Sequence, residues 1–172
     1  HSTFIESDFV REQPWTLLVQ AVDHYIPAVA ALRRLIDFIP QWRLDDVMVS
    51  YATDGGSVGP HFDNYDVFLL QGDGERLWQL GPYCDASSPL LPHAELRILG
   101  SFASSEEHLL QQGDMLYVPP GYAHWGIARG EFPEKLPGAV RVAVQGDGGL
   151  EQGGDAGGEG LDPGRLGLRE ER

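Results

Sequence analysis

From Trp42 onward the chain is cut into short strand-like runs by glycine and proline, and this punctuation limits the fold more than any other feature. Twenty-two Gly and twelve Pro fall among 172 residues. The runs lie at 47–52, 66–71, 75–80, about 95–99, 107–111, 115–118, 123–128 and 139–145. Gly72-Asp73-Gly74 reads as a hairpin turn. Pro119-Pro120-Gly121 forces an abrupt one, since both prolines fix φ and Gly accepts unusual dihedrals. Many short strands so separated predict a mainly β sandwich or barrel. Residues 66–71 are almost continuously apolar, as in a strand buried on both faces. Residues 75–80 alternate, so Arg76, Trp78 and Leu80 share a face. An Arg on that face either snorkels to water or meets an acid inside.

Upstream, the spacing of Trp15, Leu18, Val19 and Val22 predicts a helix over 14–26. A second is expected from Pro27 to Pro40, burying Val29, Leu32, Leu35, Ile36 and Ile39 and leaving Arg33 and Arg34 wet. After Gln145 the chain is Gly-rich and lacks aromatics, and disorder is expected because little apolar surface offsets the ordering entropy. The expected layout is a helical segment over 1–40 packed on a barrel, a strand-rich core over 41–145 and a tail over 146–172.

The net charge is −14, with the acidic excess spread over core and tail. Such a chain is repelled by nucleic-acid phosphate and attracts basic partners. No apolar run could span a bilayer as a helix. The single Cys84 allows no internal disulfide and no thiolate zinc cluster. It fits a reducing cytosol, and a cytoplasmic protein is expected.

The chemistry concentrates in Gly59-Pro60-His61-Phe62-Asp63-Asn64-Tyr65-Asp66 and in Tyr117-Val118-Pro119-Pro120-Gly121-Tyr122-Ala123-His124-Trp125. On a strand His61 and Asp63 would project to one side. His124, placed just after a rigid turn, can be aimed at them. Two imidazoles and one carboxylate form a facial triad that leaves half of the metal open, the ligand set of a non-haem Fe(II) centre. The same ligands could hold Mn, Co, Ni or Zn, because raw affinity does not select iron. His1, His24, His93 and His108 lack such a setting and read as solvated or structural.

The run Ser50-Tyr51 through Gly81, with Gly55-Gly56-Ser57-Val58-Gly59-Pro60-His61-Phe62-Asp63, resembles the bacterial ribosomal oxygenases. These are JmjC/cupin-type proteins that hydroxylate an arginine of a large-subunit ribosomal protein. Trp15 to His24 is similar to the segment preceding their catalytic core, and the likeness runs from about residue 12 to 128. The resemblance implies a double-stranded β-helix. It implies Fe(II) on His61, Asp63 and His124, with 2-oxoglutarate as cosubstrate and dioxygen as oxidant. It implies that Arg76 pairs with the distal carboxylate of 2-oxoglutarate, a task suited to a guanidinium fork. Asp54, Asn64 and Tyr65 are the candidates for holding a substrate guanidinium, and a basic ribosomal protein is the implied partner.

Past Gly126 the likeness fades. The closing strand expected at 139–144 carries no Ser, Thr or Tyr, where the family adds a hydroxyl to the cosubstrate site. The family's helical dimerisation region and winged-helix-like module find no counterpart, and the ending reads as a truncation. Two other functions fit the residues: a non-catalytic cupin module that docks a basic partner, and a small-molecule cupin dioxygenase. The latter would not need Arg76.

Overall fold

The computed structural model describes residues 13–92, 97–130, 138–144 and 165–166. Two antiparallel sheets face each other. The larger has strand order β1-β2-β8-β3-β6-β9, from β1 (Thr16–Val19), β2 (Leu44–Ala52), β3 (Asp66–Gln71), β6 (Met115–Val118), β8 (Gly138–Val144) and β9 (Arg165–Leu166). The smaller has order β5-β4-β7, from β4 (Glu75–Tyr83), β5 (Glu106–Leu110) and β7 (Tyr122–Arg129). The mainly β architecture is the one the punctuated sequence predicts, and it agrees with the double-stranded β-helix that the resemblance implies.

The apolar run of β3 is buried on both faces, as its composition predicts. Val67 and Leu69 point between the sheets, where they meet Trp78, Leu80, Leu110, Leu116 and Val118. Phe68 and Leu70 point outward and pack with Ile36, Leu44, Val47 and Met115 under the helical segment. That segment is α1 (Pro27–Ala30), continued by a 3-10 stretch over Ala31–Ile36. Ile36 is buried and Val29, Leu32 and Ile39 pack against its cluster, whereas Leu35 turns to solvent.

Residues 14–26 are not a helix. Thr16–Val19 pairs with β2 in the register Thr16↔Ala52 to Val19↔Val49, and only Val22–His24 makes a 3-10 turn. Apolar spacing alone could not separate the two, and the open hydrogen-bonding edge of β2 decided it. Ala21 takes a left-handed conformation (φ 54°), with its N–H donated to Asp46 Oδ2 at 2.8 Å. Arg33 is not simply wet either. It bridges the buried Asp23 at 2.7 Å and donates to the carbonyls of Leu44 and Gln41.

The expected strand near 95–99 is represented by bridges at Ile98 and Leu99. The expectation for 146–172 falls outside the described residues, apart from β9 pairing with β6.

Candidate functional site

The segment carrying His61 and Asp63 lies along the free edge of β7. Gly55 N–H donates to the Ala128 carbonyl and Ala128 N–H to the Gly56 carbonyl, both at 3.0 Å, and Gly121 N–H donates to the Asp63 carbonyl at 2.8 Å. Between these points His61 and His124 form a two-way bridge: each N–H donates to the other's carbonyl, at 3.0 and 2.8 Å. Residues directly opposed in an antiparallel pair project to the same side, and the two rings accordingly lie 4.3 Å apart. Only His61 is paired as in a strand, and Asp63 follows in irregular backbone. The His-x-Asp side chains still meet: Asp63 Oδ2 is 3.6 Å from His124 Nε2. One ligand atom from each of His61, Asp63 and His124 falls within 4.8 Å of the others.

Both rings are fixed from behind. His61 Nδ1 donates to the Gly59 carbonyl at 3.0 Å and His124 Nδ1 to the Tyr122 carbonyl at 3.1 Å. A carbonyl only accepts, so each Nδ1 is the donor and each Nε2 is the nitrogen left to meet a metal. The expected rigid turn is present. Gly121 has φ 80°, and a Cβ there would come within 2.4 Å of the Tyr83 ring. Glycine is therefore required both by conformation and by the tyrosine packed on it.

A cavity of about 400 Å³ opens onto the three side chains. Trp78, Phe62 and Leu69 give it apolar walls, and Arg76, Ser50, Gln20, Asn64 and Tyr65 supply polar ones. Gly126 leaves room for the Trp78 ring, 2.6 Å from where a Cβ would stand. Arg76 is 4% exposed, on the inward face of β4 with Trp78 and Leu80, as the alternation predicts. Its Nε and Nη2 have no hydrogen-bond partner among the described residues, and its guanidinium carbon sits 5.8 Å from the Trp78 ring centre. At 4% exposure it does not snorkel to bulk water, and no inner acid meets it among the described residues. Burial lowers its pKa to about 10, so it is still charged near neutrality.

Of the residues expected to contact substrate, Asn64 and Tyr65 line the cavity. Asp54 does not. It is exposed, and its carboxylate accepts the Gly130 N–H at 3.1 Å, fastening the start of the ligand segment to the end of β7. Ser50 and Arg97 line the cavity without having been singled out. Ser50 was legible from its β2 alternation with Met48, also a lining residue. Arg97 had no local signal. His24 is exposed and His108 pairs with Glu106 at the surface, away from the site.

The JmjC domain family matches residues 31–136. A probable ribosomal oxygenase of Haemophilus influenzae is 44% identical over 129 residues, covering 74% of this chain and 32% of that protein. The Escherichia coli ribosomal protein uL16 3-hydroxylase is 43% identical over 128 residues, covering 74% and 34%. The structure of YcfD, a ribosomal oxygenase from Escherichia coli in complex with cobalt and 2-oxoglutarate, superposes with a TM-score of 0.69 at 37% identity, covering 85% of this chain and 36% of that one. The chain spans about a third of the length of the curated relatives it matches. With the match over 31–136 enclosing the point where His61, Asp63 and His124 converge, this chain belongs to the JmjC-domain family.

Proposed function

We propose that this chain carries the catalytic core of an Fe(II)- and 2-oxoglutarate-dependent oxygenase that hydroxylates an arginine side chain of a large-subunit ribosomal protein. The observation that carries the reading is the convergence of two imidazoles and a carboxylate in a cavity that also holds a buried guanidinium with open donors. Neutral imidazole and carboxylate donors suit a divalent first-row metal, and the unsatisfied Arg76 nitrogens suit a carboxylate. Iron bound there with 2-oxoglutarate would supply the dioxygen chemistry that couples decarboxylation of the cosubstrate to hydroxylation of a C–H bond.

The chain's own residues do the rest. His61, Asp63 and His124 hold the metal from one side and leave the cavity side open. Arg76 binds the distal carboxylate of 2-oxoglutarate, gaining charge-assisted hydrogen bonds at Nε and Nη2, which have no partner among the described residues. Ser50 offers a hydroxyl from β2, taking the part that the hydroxyl-free sequence of β8 cannot. Trp78, Phe62 and Leu69 keep water from the reacting centre. Asn64 and Tyr65 form the wall against which a substrate side chain is positioned. The E. coli relative named as a uL16 hydroxylase supports uL16 as the substrate, and the charge of −14 favours a basic partner.

The test is incubation of the chain with uL16, Fe(II), 2-oxoglutarate and air. The proposal expects succinate formation that depends on uL16, with one oxygen added to an arginine. A folded, metal-loaded sample that binds uL16 but yields neither product would instead be a docking module.

A further inference from the structure

Ser57 ties the two histidine segments together from outside the cavity. Its Oγ accepts the Trp125 Nε1–H at 2.6 Å and the Gly59 N–H at 3.0 Å. Trp125 directly follows His124 in the chain. Gly59 is the residue whose carbonyl accepts from His61 Nδ1. The Gly59 turn has φ 88°, a conformation outside the ordinary helical and extended basins. The Trp125 ring is braced edge-on against Phe102, with centroids 5.9 Å apart and planes at 88°. One hydroxyl therefore links the turn behind one imidazole to the strand bearing the other. Neither Ser57 nor Trp125 lines the cavity.

We propose that Ser57 is a positioning residue, which holds the Gly59 carbonyl on His61 Nδ1 and, through Trp125, registers that turn against the His124 strand. In this way it sets which nitrogen of His61 faces Asp63 and His124. The inference rests on the metal-binding reading above and deepens it. Groups standing behind metal ligands typically change metal affinity 10–100-fold when removed. Loss of the Ser57 hydroxyl leaves the Gly59 and Trp125 N–H groups without their acceptor and frees the carbonyl to swing away from the ring.

The experiment uses the whole chain and the variants Ser57→Ala, Ser57→Thr and Trp125→Phe. Long-range proton–nitrogen NMR of the metal-free protein reads the His61 tautomer, and Co(II) titration reads affinity together with the visible ligand-field spectrum. Wild type is expected to show His61 with the proton on Nδ1. Ser57→Ala is expected to mix the tautomers, to weaken Co(II) binding by about 10-fold or more and to alter the cobalt spectrum, and Ser57→Thr to restore all three. Trp125→Phe keeps the packing on Phe102, loses the N–H, and should show a smaller change in the same direction. It carries the test if Ser57→Ala does not fold. A Ser57→Ala protein that melts earlier but keeps the wild-type tautomer and Co(II) affinity would overturn the proposal and leave Ser57 a stabilising hydroxyl only. Failure of wild type to bind Co(II) would sink the metal reading instead, and the tautomer measurement would still decide what Ser57 does.

Discussion

Arg76 places a positive charge where the protein gives back little for it. Its folded pKa of about 10 lies well below the ordinary guanidinium value, so the folded state holds that proton less tightly than the unfolded chain does. Below pH 10 both states are charged and the burial penalty is fully present. Above pH 10 the penalty is relieved as the folded state alone begins to lose the proton. At neutral pH it therefore opposes folding by on the order of 3 kcal/mol, a cost that the proposed 2-oxoglutarate site would account for. Arg76→Met should raise the melting temperature of the metal-free protein by a few degrees, as replacing a buried charge by an apolar group of similar length often stabilises. It should also abolish the further stabilisation that 2-oxoglutarate gives wild type. Thermal melts with and without cosubstrate check both halves. A variant that melts lower and still responds to 2-oxoglutarate would remove Arg76 from that role. At this scale the sequence was most legible where chemistry dictates residue type. His61, Asp63 and His124 meet, and Arg76 faces inward. It was least legible for Asp54, because a carboxylate near a ligand strand can as readily accept a backbone N–H, and this one does.

Among the elements, the apolar and alternating strands could be read because burial on one or two faces imposes a period on the chain. The ranges of β3 and β6 follow directly from it. The segment over 14–26 could not be read, because its pairing with β2 is a long-range event and its apolar spacing fits either period. What secures that region is also non-local. Asp23 accepts the Val47 N–H at 3.0 Å and bridges Arg33, tying the 3-10 turn to β2 and to the helical segment. Burial pushes the Asp23 carboxyl up, but the Val47 N–H and Arg33 outweigh that and hold it below the ordinary 3.8. With a depressed folded pKa, its contribution is present above about pH 4 and is lost as pH falls through the folded value. Asp23→Asn leaves the Arg33 charge half-buried and should destabilise by about 3 kcal/mol at pH 7. The difference from wild type should shrink below pH 4. Urea unfolding at pH 7 and pH 3 measures it, and an equal loss at both would mean that packing rather than charge holds the turn.

For the molecule as a whole, the two sheets enclose the cavity that carries the candidate site, and the chain is acidic. The helical segment over residues 27–36 contributes an outer cover to β3 and β2, whereas Leu18, in the stretch that pairs as a strand instead, and Gln20 just after it reach the cavity. The charge of −14 acts at longer range than any single contact. Its pull on the proposed basic substrate would be screened over about 8 Å at physiological ionic strength, so in the proposed reaction the apparent KM for uL16 should rise with added salt while kcat changes little. A KM indifferent to salt would confine recognition to the cavity. The central claim is narrower: His61, Asp63 and His124 hold one metal beside Arg76. Anaerobic titration with Fe(II) and 2-oxoglutarate, followed by visible absorption, tests it most directly. The expected result is a weak metal-to-cosubstrate charge-transfer band that saturates at one iron per chain and is lost in His124→Ala. A folded wild-type sample without the band, or a band that survives intact in His124→Ala, would contradict it.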